Sequence, residues 1–120
     1  MLSLETFKCY CLSKNGVSEC FPFDDETLVF KVGSKMFALT NINKPVFEVN
    51  LKCEPFMSQD LRRDFDAIKP GYHMNKKHWN TIVLDGSIQD EKIFFLVDLS
   101  YDLVYKRLKK SEKQELQNSL

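Results

Sequence analysis

Apolar and polar residues alternate most regularly over residues 45–53, PVFEVNLKC. Phe47, Val49, Leu51 and Cys53 fall on one side, and Glu48, Asn50 and Lys52 on the other. A period of two is that of a strand, and so clean a split belongs to an antiparallel sheet with one wet face. Residues 27–40, TLVFKVGSKMFALT, hold two apolar arms around Gly33-Ser34, the pattern of a hairpin closed by a two-residue turn. VSECFPF (17–23) predicts a short extended segment before that hairpin. Pro22 cannot donate to a ladder, so this strand belongs at an edge or carries a bulge. WNTIVLDG (79–86) predicts the last strand, turned by Asp85-Gly86-Ser87.

Three stretches have the longer period of a helix. Ser3 can cap the first, with Glu5 in its first turn and Leu4, Phe7 and Cys11 along one face, and Asn15-Gly16 is a stop signal. Pro55 suits the first turn of the second, whose apolar face reads Met57, Leu61, Phe65 and Ile68 before Pro70-Gly71 ends it. The third opens with Asp90 and Glu91 and carries the stripe Ile93, Leu96, Val97, Tyr101, Val104 and Leu108. The order α-β-β-β-β-α-β-α predicts a single α+β domain, an antiparallel sheet of about five strands packed by helices on one face. Residues 1–110 read as the domain and 111–120 as a polar C-terminal tail that frays.

Composition changes this picture little. A length of 120 residues suits one domain, and 43% hydrophobic with 28% charged residues is ordinary globular usage. No apolar run approaches the ~20 residues of a membrane span, and MLSLETFKCYC lacks the basic and apolar regions of a signal peptide. The expectation is a cytoplasmic protein whose four cysteines are reduced thiols. Cys9 and Cys11 form C-x-C, but two positions on a helix differ by about 200°. They read as small hydrophobes, not as joint ligands of a metal.

Charge matters more for where it lies than for its total. Lys and Arg number 17 and so do Asp and Glu, so no global basic signature marks a nucleic-acid protein. Residues 69–80 nevertheless hold three lysines and no acid, whereas residues 81–105 hold one basic and five acidic side chains. The segment 69–79, KPGYHMNKKHW, also contains both histidines and the only tryptophan. His73 and His78 stand five apart without Cys, Asp or Glu between them, and a zinc site needs at least three protein ligands. A metal would need a distant acid, and none is expected, nor any cofactor. The G-x-S-x-G, P-loop, G-x-G-x-x-G and H-E-x-x-H motifs are absent, and Asp24, Asp25 and Glu26 read as a solvated turn, so no enzyme is expected. Nucleic acid suits the segment better. Lys69, Lys76 and Lys77 can neutralise phosphates, His73, Asn75 and His78 can donate hydrogen bonds, and Tyr72 offers a ring for stacking. A merely solvated basic loop remains the alternative, and Trp79, at the start of a strand, reads as a core plug.

KPGYHMNKKHWNTIVLDGSI (69–88) followed by LVDLSYDLV (96–104) resembles the signature of the MmcQ/YjbR family of small bacterial proteins. FPFDDETLVFKVGSKMFALT (21–40) and VNLKCEPFMSQDLRRDF (49–65) are similar to the family's first hairpin and its strand-to-helix passage, and the likeness spans residues 1–108. The resemblance implies a frataxin-like α+β fold, a cytoplasmic single domain and a DNA-binding label that rests on a pair of wing-like hairpins. The signature falls on Pro70, Gly71, His73, Asn75, Lys77, His78 and Trp79, then on Asp85, Gly86, Ser100 and Tyr101. Ile88-Gln89 stands where many relatives place a proline, which touches only the start of the last helix. Frataxin's acidic first-helix ridge is missing, since the first helix has only Glu5, so iron does not transfer. Gly71 is expected to let the loop turn, Trp79 to anchor it, and Ser100 and Tyr101 to hydrogen-bond loop backbone or His78. The expected function is DNA binding by a monomer or weak dimer, through the 69–79 loop and an exposed hairpin. The rival is a non-enzymatic protein-interaction module using the same loop.

Overall fold

The structure, a computed structural model, describes residues 2–72 and 74–118. Helix α1 (Leu4–Leu12) is capped by the Ser3 hydroxyl, which accepts from the Thr6 amide at 3.1 Å, and it buries Phe7 and Cys11. Cys9 is exposed, so the two cysteines of C-x-C do face apart. The chain then forms β1 (Val17–Cys20), β2 (Thr27–Val32), β3 (Lys35–Asn41) and β4 (Glu48–Lys52), each antiparallel to the one before. β1 is an edge strand that ends before Pro22, as a residue without an amide hydrogen requires. The β2–β3 turn is the two residues Gly33-Ser34, with positive φ at Gly33 alone. That is the glycine-first arrangement of a II′ turn. Asp24 holds the β1–β2 connection: its carboxylate accepts from the amides of Glu26 and Thr27, which keeps its carboxyl below the usual range.

Helix α2 (Pro55–Asp64) follows β4 and is shorter than its apolar spacing predicts. Ile68 belongs to a further strand, β5 (Ile68–Pro70), and Met57 faces solvent, so the buried face of α2 is Ser58 and Leu61. Pro70-Gly71 therefore ends a strand and not a helix. β6 (Trp79–Val83) returns antiparallel between β4 and β5, giving six strands in the order β1-β2-β3-β4-β6-β5, one more than expected. Helix α3 (Asp90–Lys106) starts after Gln89, with Ile88 buried just before it. The expected polar tail is helical over α4 (Lys110–Asn118), whose Leu116 packs against the main core.

One face of the sheet is covered and the other is open. Phe7, Phe30, Phe37, Val49, Ile82 and Val97 belong to the continuous core between the sheet and the helices. Strand alternation puts the next residues on the opposite face. There Val29, Leu39 and Trp79 form a small separate cluster, with Met36 and Met74 against it. Trp79 is only 7% exposed, but it plugs this outer cluster and not the main core.

β3 carries a bulge. Phe30 pairs with Ala38 while Lys31 pairs with Met36, so Phe37 is the extra residue. The β3–β4 ladder stops at Ala38–Leu51, and the next rung would join Phe37 to Lys52. The buried Ser100 hydroxyl stands in for that rung. It donates to the Phe37 carbonyl at 2.5 Å and accepts from the Lys52 amide at 2.9 Å.

Candidate functional site

The 69–79 segment is the tip of the β5–β6 hairpin. Pro70 pairs with Asn80, and the Gly71 amide donates to the Trp79 carbonyl at 2.8 Å to close the loop. Gly71 has no positive φ. It is needed for a different reason: a Cβ there would lie 3.0 Å from Trp79 Cβ and 3.1 Å from its carbonyl oxygen. Inside the loop, Asn75 Oδ1 accepts from the Lys77 amide at 2.9 Å, and the Asn75 carbonyl accepts from the amides of His78 and Trp79. The His78 carbonyl accepts from the Cys53 amide at 2.8 Å, tying the loop to the end of β4.

An arginine that the sequence reading passed over holds this turn in place. Arg62 on α2 donates through Nε to Asn80 Oδ1 at 2.8 Å and through Nη2 to the carbonyls of Lys76 at 2.5 Å and Trp79 at 3.2 Å. Asn80, itself buried, donates on to Ser58 Oγ at 3.3 Å. The planar guanidinium suits this set of acceptors.

Lys69, Tyr72, Lys76 and Lys77 are all exposed, and Tyr72 is 63% exposed. The Lys76 ammonium lies 5.2 Å from the centre of the Tyr72 ring, within cation–π range. Lys69, on the open face of β5, lines a small depression with Tyr72 and Lys44. Asn75 lines a larger cleft of about 660 Å³ on the same face, whose floor includes Leu39, Met36 and Trp79 and whose far wall carries Phe23. The structure thus gathers Lys69, Tyr72 and Lys76 on one rim, with Asn75 in the adjoining cleft. His78 is half-buried, and His73 lies outside the described residues. Among the described residues no three His, Cys, Asp or Glu side chains gather as metal ligands.

The family model YjbR matches residues 12–103. The chain belongs to the YjbR family. It is 34% identical over 109 residues to the uncharacterized protein YjbR of Escherichia coli K12, covering 89% of this chain and 91% of that one. It is 37% identical over 112 residues to YbdF of Escherichia coli O157:H7, covering 93% and 92%. Among solved structures, protein DR2400 of Deinococcus radiodurans is 41% identical and superposes with a TM-score of 0.91 over 98% of this chain and 89% of that one. These matches bear out the resemblance read from the 69–88 and 96–104 signatures.

For this YjbR-family chain, the signature residues divide by place. Asp85 Oδ1 accepts from the Ser87 amide at 2.9 Å, and Gly86 has a φ of 89°, so this pair shapes the turn before α3. Ser100 and Tyr101 do not reach the 69–79 loop: Ser100 bridges the bulge, and the Tyr101 hydroxyl donates to the Asn15 carbonyl at 2.6 Å. They face the helix-covered side of the sheet, whereas the loop stands at its far edge. The β2–β3 turn is not a free wing, because Glu112 of α4 accepts from the Ser34 amide at 2.9 Å and from its hydroxyl at 2.8 Å.

A second group of cations was invisible in sequence. Lys35, Lys52 and Arg107 line a depression that shares Met36 and Trp79 with the larger cleft. Lys52 is the cross-strand partner of Trp79. Burial first, then the charges of Arg107 and Lys35, press the Lys52 ammonium below its ordinary value. The three positions are far apart in the chain, and only the strand order and the end of α3 bring them together.

Proposed function

We propose that this protein binds DNA, without catalysis, on the open face of its sheet, with the β5–β6 hairpin tip as a basic rim. The observation that carries the reading is the exposed Tyr72 ring under the Lys76 ammonium, in a depression with Lys69 that shares Asn41, Lys44 and Asn50 with the apolar-floored cleft. Stacking surfaces next to cations are how proteins hold unpaired strands, because every base has a π-face and every nucleotide a phosphate. The larger cleft is lined by no carboxylate, thiol or histidine among the described residues, and it offers amides, methionines, an indole and the Lys44 ammonium for contact. Arg62 supports the reading by fixing the loop backbone before any ligand arrives.

The test is fluorescence anisotropy with a labelled single strand and its duplex at about 50 mM salt. The double variant Lys76→Glu/Lys77→Glu should weaken binding by orders of magnitude with an unchanged melting curve, since exposed charges contribute little to folding. Three phosphate contacts predict a log–log salt slope of about −2 for the unpaired strand and about −3 for the duplex. Phe23, 65% exposed at the cleft wall, and Phe21, 46% exposed in the same β1–β2 connection, favour a second reading, a protein-interaction module. A flat salt dependence, with binding indifferent to the double variant, would decide for it.

A further inference from the structure

We propose that Lys35, Lys52 and Arg107 form a phosphate site that works with the Trp79 cleft, so that this face takes a nucleoside phosphate: phosphate between the cations, ring system in the cleft. The choice of a nucleoside rests on the nucleic-acid reading above, but the cation site stands on its own geometry.

Three positive side chains converge where β3 begins, β4 ends and α3 finishes. Among the described residues the lining of their depression contains no acid, and none of the three makes an ion pair. The arrangement has one alternative explanation, that the cations offset the negative end of α3. That end carries about half an elementary charge. Its carbonyls are also already engaged, Lys106 by the Lys113 ammonium at 2.8 Å and Val104 by the Arg107 amide at 3.0 Å. Glu112 feels the charge of Lys35 while it hydrogen-bonds Ser34, so its one negative charge offsets part of the group. Three positive charges against one carboxylate and about half a charge at the helix end still leave an excess, and Lys52 is held against like charges in a partly buried place. A dianion between the three removes that repulsion.

Trp79 and Met36 form the wall shared with the 660 Å³ cleft. That volume lies in the range that takes a small ligand, and its lining offers Asn41, Asn50 and Asn75 as amide partners over an apolar floor of Leu39, Met36 and Trp79. Amides that both donate and accept match the edges of a base. Asn50 Oδ1 already accepts from the Thr81 hydroxyl at 2.6 Å, which orients its amide nitrogen for a new partner.

Trp79 is the only tryptophan, so the protein's own fluorescence reads the site. The experiment titrates the full chain with adenosine 5′-monophosphate, adenosine and inorganic phosphate, and with a single-stranded decanucleotide bearing a 5′-phosphate. A saturable change in Trp79 emission is expected with the monophosphate, competed by inorganic phosphate and at least about tenfold weaker with adenosine. Lys52→Gln/Arg107→Gln should weaken the monophosphate by about tenfold or more, with Lys35→Gln giving a smaller loss in a background that leaves β4 untouched. Lys76→Glu/Lys77→Glu should weaken it by less than the Lys52→Gln/Arg107→Gln pair does. Tighter binding of the decanucleotide than of the monophosphate assigns the site to a strand, and equal binding assigns it to free nucleotides. No saturable response to monophosphate or phosphate, or a response that neither cation variant moves while melting is unchanged, overturns the proposal. Loss of the monophosphate response with strand binding intact removes this site alone. Strand binding indifferent to Lys76→Glu/Lys77→Glu, with the monophosphate response intact, removes the rim alone.

Discussion

Removing the Arg62 guanidinium leaves Asn80 Oδ1 and the Lys76 carbonyl without their donor, and leaves the Trp79 carbonyl with the Gly71 amide alone. Hydrogen bonds to a charged group contribute about 1.5–3 kcal/mol each, less when half-exposed and not additively. Arg62→Ala should therefore cost about 2–3 kcal/mol in urea denaturation, and Arg62→Lys should recover little, because a lysine cannot span the same acceptors. Ser100→Ala orphans the Phe37 carbonyl and the Lys52 amide together and should cost about 1–3 kcal/mol by the same measurement. Both roles were hard to read in sequence. Arg62 sits in the run RRD at a helix end, where a basic residue is expected for the helix alone. Ser100 serves a bulge that no pattern marks, because an extra residue such as Phe37 in an apolar strand looks like one more core position.

At the scale of elements, α4 is held by a carboxylate latch with a pH limit. The Ser34 hydroxyl, then its amide, keep the Glu112 carboxyl below the usual glutamate value of 4.5. A depressed carboxyl stabilises the docked helix fully above its unfolded value and loses that contribution as pH falls through the folded one. Protection of the α4 amides against hydrogen exchange, relative to their intrinsic rates, should accordingly hold above about pH 5 and fall below pH 4.5, while Glu112→Gln should show weak protection with little pH dependence. Elements with strong periods were legible: the alternation of Glu48–Lys52, the Gly33-Ser34 hairpin and the stripe of α3 all form where the pattern puts them. β5 has three residues, too few to show a period of two, and Ile68 sits at a spacing from Leu61 that fits a helix face equally well. α4 has Leu116 as its sole apolar residue, so nothing marks its docked side.

The whole molecule carries no net charge, so any attraction to DNA is a property of one face. Lys76→Glu/Lys77→Glu takes the net charge from zero to −4. A surface-charge control of equal magnitude placed on α1, which packs on β1 at the opposite edge of the sheet, should leave strand binding within about twofold in the same anisotropy assay, because distant exposed charges are screened beyond ~10 Å. No bridge joins the four thiols, and burial pushes the Cys11 thiol up to about 12 and raises that of Cys53. Denaturation midpoints should match with and without reductant, and a thiol reagent should label exposed Cys9 quickly and the buried pair only on unfolding. The candidate rim was visible in sequence because its residues are neighbours in the chain. The cation group around Trp79 was not, because register and strand order create it. The serine-filled rung between β3 and β4 has a further consequence, for the order of folding. Two strands whose last link is supplied by a helix cannot finish closing until that helix has arrived, so sheet completion and the docking of α3 become one event. The Lys52 amide should then exchange only through global unfolding in the native protein, and should drop to a shallow local opening when Ser100 is replaced by alanine.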